Sequence, residues 1–361
     1  MARITLGLKN FVSGVLSSFL LCRDDLTQFA QGMRVSRNFI VTPYGPLTRR
    51  TGTRFITSTK DPLRPVRLLT FQASSQEAYI LELGHQYMRF YAKNGVVLSG
   101  GVPLEISTPF TSDELLLIQA AQTADVMYLV HQNHIPQKLV RVSASSFTLT
   151  PAAFTNGRAP MGPLNTDPNN YPVTLAGTWP AITITMNAAT FTAGDVGRYF
   201  YVRNATAKNS WYLQITGFTS ATVVTANGLD RFNASGTNPQ GVDGDRWAMS
   251  VMSTNSGCAA VAFHEGRLWY GGFKLYPTML WGSVSDDYDN FEFESPDPGT
   301  ADAANADRAI QRQTLSAGSQ ANLIRWIAGV ADRLVIGCSA GEFVIQPDQD
   351  GYPDIEAFKA A

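Results

Sequence analysis

Short apolar runs joined by tight polar turns recur along this chain, and helical signals are sparse, so the sequence is constrained to a mainly β fold. The clearest case is "AYILELG" followed by "QYMRFYAKNGVVLSG", residues 78–100. There Asn94-Gly95 stands between "MRFYA" and "VVLSG", a strong two-residue hairpin signal because both central positions must accept positive φ. The pattern returns in "ADVMYLVHQNHIPQKLVRV", "GCAAVAFHEGRLWYGG" and "VADRLVIGCSAGEFVIQ". With 30 Gly and 19 Pro, turns are frequent and long helices are disfavoured. "SDELLLIQAAQTA", from Ser112, suits either a short helix or a loop entering the next strand.

The hairpins start near residues 78, 126, 259 and 331, at intervals of about 48, 133 and 72. Only the first matches the roughly 40–50 residues of a propeller blade. The middle interval holds a Thr-, Ala-, Asn- and Gly-rich segment poor in charge. Its runs "AITITMN", "VGRYFYVRN", "SWYLQITGF" and "ATVVTANG" read as a small all-β unit, entered through the proline-rich linker "NGRAPMGPLNTDPNNYP". The last interval holds an acidic loop, residues 286–307. The expected organisation is therefore mainly β, propeller-like β-hairpin blades with an inserted small β-barrel domain. Residues 1–150 carry the N-terminal region and first blades, 151–253 the inserted barrel, and 254–361 the resumed blades.

Charged residues make only 16% of the chain, below the roughly 25% usual for globular proteins, which suits a β-rich assembly protein better than a freely diffusing enzyme. The net charge is -1, yet residues 1–70 hold nine Arg and two Lys against three Asp, while residues 286–307 hold eight acidic residues and no Lys or Arg. A basic end and an acidic loop suit pairing between neighbouring copies, or two surfaces facing different partners. Cys22, Cys258 and Cys338 have no metal-like spacing and read as reduced, buried small hydrophobes. The run "FVSGVLSSFLLC" is too diluted by Ser and Gly for a signal peptide and too short for a membrane span, so the chain is expected in the cytoplasm when made.

No GxSxG elbow, P-loop, GxGxxG or HExxH occurs, which removes several common enzyme classes. His131 and His134 in "HQNH" would share a metal if they faced one side of a helix turn, but they fall at a hairpin turn, so no metal is expected. Asp286, Asp287 and Asp289 lack the mid-loop Gly of an EF-hand, and with Asp243 and Asp245 they read as solvated turns. No catalytic residue and no cofactor is assigned. The Arg-rich N-terminal third is the only nucleic-acid candidate, and it would touch phosphates without reading sequence.

Two separated blocks resemble the tail tubular protein B, or nozzle, family of short-tailed bacteriophages and related phage stabilisation proteins. The first contains Asn10, Phe11 and Gly14, then Arg23 and Asp24, then Arg50, Gly52 and Thr53. The second contains Arg267, Leu268, Gly272, Trp281, Ser283, Asp287, Tyr288 and Phe291, then Gly341 and Glu342. The resemblance implies a virion structural protein: a homo-oligomeric ring, six-fold, below the head-tail adaptor protein. Such a ring also meets tail fibre or other tail proteins, retains packaged DNA and conducts transiting double-stranded DNA without sequence specificity. Family members are usually longer, which implies that another chain supplies further blades or that a neighbour closes an open edge. A tail-associated receptor- or carbohydrate-binding protein acting through the inserted domain is the alternative.

Within "PYGPLTRRTGTRFI", Pro43, Gly45 and Pro46 bracket a turn and "TRFI" is expected to emerge as a strand. Arg50, Gly52 and Thr53 match the family signature and are expected to fix that turn. Arg49 and Arg54 are candidates for an interface or DNA-phosphate contact, with the acidic segment 286–307 as preferred partner.

Overall fold

A computed structural model describes residues 10–20, 23–93, 95–165, 173–204, 209–232, 242–244, 246–292, 308–313, 322–331, 333–347 and 353–357. The chain divides into two compact units, Met1–Thr57 and Ser58–Ala361. The larger unit is mainly β and propeller-like. Four sheets follow the chain as antiparallel meanders, and a seven-stranded sheet stands between the second and third.

The first blade contains Arg67–Gln72, Ala78–Gly84, Tyr87–Ala92 and Glu105–Ser107. The second contains Gln119–Thr123, Val126–His131, His134–Ser143 and Ser146–Pro151. The third contains Cys258–His264, Arg267–Phe273, Met279–Gly282 and Ile310–Gln313. The fourth contains Ile324–Val330, Arg333–Cys338, Glu342–Pro347 and Pro353–Ala357. Two-residue turns join many of these strands, as between His264 and Arg267, where Glu265 and Gly266 take φ of 47° and 67°. That left-handed conformation lets the turn twist with its flanking strands.

The expected hairpins are therefore present, with one register difference. Ala92 pairs with Gly95, so Gly95 belongs to the ladder and not to the turn, contrary to expectation. Lys93 takes the positive φ of 49° that the sequence reading gave to Gly. "SDELLLIQAAQTA" is both things in succession, a 3-10 turn at Leu115–Leu117 and then the first strand of the second blade.

Each middle blade is buried on both faces, which explains why its strands read as continuous apolar runs rather than alternating ones. Met127 and Leu129 face a core shared with the first blade, around Phe71, Leu81 and Phe90. Tyr128 and Val130, offset by one residue, face a different core with Leu268, Tyr270 and Trp281 of the third blade. Trp269 and Leu280 then face the fourth blade's Ile327, Leu334 and Ile336. Gly272 sits where the third blade meets the fourth. Its φ is +70°, and a Cβ there would lie 2.5 Å from the Ile324 carbonyl oxygen, so only glycine fits without strain.

The inserted sheet has the order Val242–Gly244, Val173–Thr178, Ala181–Met186, Val223–Phe232, Asn209–Ser220, Tyr199–Asn204, Arg246–Met249. Its two edge strands are consecutive in the chain, one residue apart. Val242 pairs with Leu175 at one edge, while Arg246 pairs with Arg203 at the other. The sheet therefore curls into a half-barrel. Its interior is apolar, lined by Ile184, Phe200, Trp211 and Leu213 among others.

The smaller unit differs in kind. It contains the four-residue helix Thr27–Ala30, a parallel pairing of Gly14–Val15 with Gly32–Met33, and a hairpin of Phe39–Val41 with Leu47–Arg49. The turn at Thr42–Pro46 is as expected, closed by Gly45 N–H to Thr42 O at 3.1 Å. The strand expected at "TRFI" is not formed: residues 50–59 have no strand assignment, and Phe55 is 77% exposed. A single short hairpin gives those residues no face to bury against.

Candidate functional site

Most of the second signature block meets in one place, the loop Ser283–Glu292 that leaves the third blade. Arg267 is buried, and one guanidinium nitrogen donates to the carbonyl oxygens of Ser283 and Arg308. Leu268 N–H donates to Ser283 Oγ at 3.0 Å, and Ser283 Oγ donates on to Val284 O. Trp281 Nε1 donates to Met161 O at 2.8 Å, which ties the blade to the linker before the barrel. Tyr288 packs edge-on against Phe263, and Phe291 stacks on Tyr270 with ring centroids 5.5 Å apart. These positions carry packing and backbone satisfaction. Asp287 bridges back to Val284, and its carbonyl oxygen accepts from Asn290 N–H at 3.3 Å.

The residue that matters most in this loop is Asp289, which the signature does not contain. Its carboxylate accepts from Tyr128 Oη at 2.8 Å and pairs with Lys138, both from the second blade. Burial and the Asp289 charge together push the Tyr128 hydroxyl well above its ordinary pKa. Asp289 O also accepts from Thr155 N–H at 2.9 Å. Next to it, Arg158 in the linker donates Nε to Glu292 at 3.1 Å and pairs with Asp230 of the barrel at 2.8 Å. Burial works against the Arg158 charge, but Glu292 outweighs it and holds the guanidinium above its ordinary value. Blade, linker and barrel are thus clamped together by ion pairs over an aromatic core. Of the three aspartates at 286, 287 and 289, Asp289 is thus committed to Tyr128 and Lys138.

The first signature block meets at Gly45. Phe11 N–H donates to Gly45 O at 2.9 Å, and a Cβ on Gly45 would lie 2.7 Å from Asn10 Oδ1. Gly14 turns the chain at φ 66°. Arg23 forms a bidentate pair with Asp25 at 2.7 Å, not with Asp24. Arg50 donates its backbone N–H to Asn38 O, yet the side chains of Arg49, Arg50, Thr53 and Arg54 are exposed and Gly52 has open space around it. Arg50, Gly52 and Thr53 therefore do not fix the turn, contrary to expectation; Asn10, Phe11 and Gly45 do. Of the acidic segment 286–307, residues 293–307 lie outside the described residues. Gly341 leaves open space and Glu342 is exposed, at the start of the fourth blade's third strand.

A cluster that the sequence reading set aside also forms. His131 and His134 are a cross-strand pair flanking the Gln132-Asn133 turn, so one face of a hairpin does what a helix turn would have done. Glu114, from the segment before the 3-10 turn, reaches both: His134 Nε2 lies 2.9 Å from Oε2, and His131 Nδ1 lies 3.7 Å from Oε1. Thr111 holds that carboxylate through its N–H at 2.9 Å and its hydroxyl at 3.0 Å, and Asn133 Nδ2 donates to Oε1 at 3.1 Å. Burial opposes the Glu114 charge, but these donors prevail and bring its pKa down to about 2. Burial lowers the His131 pKa in turn, partly offset by Glu114.

No family model matches the chain, and no curated protein matches it. Among solved structures it is similar to the crystal structure of Kluyvelomyces marxianus Hsv2, at 9% identity over 82% of this chain and 72% of that chain, with a TM-score of 0.30.

Proposed function

We propose that this protein is a structural subunit of a short-tailed phage tail, a nozzle or tail-tube component that assembles into a ring, retains packaged DNA and forms its ejection path. The observation that carries the reading is the N-terminal unit. Among its described residues no large apolar side chain is buried, while Phe19, Tyr44 and Phe55 are 92%, 93% and 77% exposed. A segment that displays this much apolar surface together with a strong positive charge is built to be covered by a partner. The second support is chemical. Arg267, Leu268 and Trp281 of the larger unit's signature tie strands and linker together, as suits a structural subunit. Hexameric rings, the head-tail adaptor, tail fibre proteins and transiting double-stranded DNA are the partners of this reading, and the virion tail its location.

Electron microscopy of the purified chain and of intact particles tests it. Closed rings, and density for this chain below the adaptor, are expected; a monomer absent from virions would sink the proposal. Arg49→Glu should weaken ring formation more than DNA retention, and normal rings with leaking DNA would reverse the role given to Arg49.

A further inference from the structure

We infer that Glu114, His131 and His134 form a binding site for one divalent transition metal ion of the zinc class. Two imidazoles and one carboxylate are a donor set that suits zinc and disfavours calcium and magnesium, which take oxygen ligands. The ligating atoms all lie within 4.8 Å of one another. A tetrahedral zinc with bonds near 2.1 Å holds its ligands about 3.4 Å apart; His134 Nε2 lies 2.9 Å from Glu114 Oε2 and His131 Nδ1 lies 3.7 Å from Oε1, so small side-chain adjustments bring the three donors to that spacing. The remaining closure falls to His134, the most accessible of the three side chains.

Three features distinguish the cluster from a chance meeting of polar groups. The carboxylate is oriented by Thr111 and Asn133, which supplies the outer shell that metal ligands need. His131 Nδ1 accepts from Asn133 N–H at 3.2 Å, so it carries a lone pair and no proton; the ion takes that lone pair over from a long hydrogen bond. His131 also lines a cleft of about 380 Å³ with Leu117, Asn133 and Trp326, which provides a route of entry. Three protein ligands leave a fourth position for water or a partner's side chain. The ion would pin the Thr111–Leu117 segment to the hairpin turn of the second blade, and it requires no catalytic role.

The test is equilibrium binding of Zn²⁺ to the full chain by calorimetry, with Co²⁺ as a spectroscopic probe. One ion per chain is expected, with tetrahedral d–d absorption for Co²⁺ and a raised Tm. His134→Gln, at the least buried ligand, should weaken binding roughly 100-fold while leaving the circular dichroism spectrum unchanged. Glu114→Gln should do the same. A folded wild-type chain that takes up no Zn²⁺, or one whose affinity is unaltered in both variants, would overturn the assignment and leave the cluster as a hydrogen-bonded anchor for the turn.

Discussion

The second blade and the N-terminal unit are both built on short apolar strands joined by tight turns, yet their side chains meet opposite fates. Met127, Tyr128, Leu129 and Val130 are all buried, because blades stand against both faces of their sheet. Phe39 and Ile40, in a hairpin of the same style, remain 52% and 57% exposed. Strand propensity is satisfied equally in the two places. What differs is the number of sheets available to cover the strand, and burial of about 25 cal/mol per Å² goes only to the strand that has neighbours. Residues whose partners lie within the chain stabilise the fold; under the proposed function, the exposed ones would stabilise an assembly.

The contrast can be broken most forcefully at Trp281. It is 3% exposed, packs edge-on against Phe273 at 4.8 Å and satisfies Met161 O, so Trp281→Ala should cost about 3–5 kcal/mol in urea denaturation. A loss below about 1 kcal/mol would mean that the blade stack is not the source of stability.

A smaller effect is expected at Asp195 in the barrel. Burial pushes its carboxyl pKa up, but Arg198 at 2.6 Å and the Thr192 N–H at 2.7 Å outweigh burial and hold it below the usual range. Because the folded value is depressed, the stabilisation is present above the unfolded pKa of about 4 and is lost as pH falls through the folded value. Asp195→Ala should therefore cost about 3 kcal/mol at pH 7, since it leaves Arg198 buried without its partner. The gap to wild type should narrow as pH drops below about 4; an unchanged gap between pH 7 and pH 3 would refute the ionic account.

The smallest stability effect, and the sharpest contrast, belongs to the N-terminal unit. Tyr44→Ser with Phe55→Ser should alter unfolding free energy by no more than about 0.5 kcal/mol, while sedimentation velocity shows reduced self-association. A large stability loss with association intact would place these side chains in the chain's own core.

Much of the fold was legible because it is locally encoded. The hairpins near residues 78, 126, 259 and 331, the interrupting segment and its all-β character follow from period-two patterning and turn chemistry. The place of Gly95 in the ladder was not legible, since a Gly that suits a turn also fits a ladder position. "TRFI" alternates as a strand should, but among the described residues no strand pairs with it, and pairing is a tertiary matter. The site was legible in part. Arg267, Leu268 and Trp281 were identified, whereas Asp289 was missed because nothing in "DDYDNFEF" says which acidic residue will point at Tyr128.

The amino-acid sequence by itself determined the strands, the tight turns between them, the low charge density and the concentration of arginine near one end. Only the tertiary structure decided which residues meet. Tyr128 and Asp289 are 161 residues apart, strands consecutive in the chain take opposite edges of the inserted sheet, and Glu114 reaches two histidines across a hairpin turn. Local propensity acts over a few residues, while blade stacking and strand register act between segments that have no sequence relation, so the contacts that join the molecule become visible only once the sheets are in place.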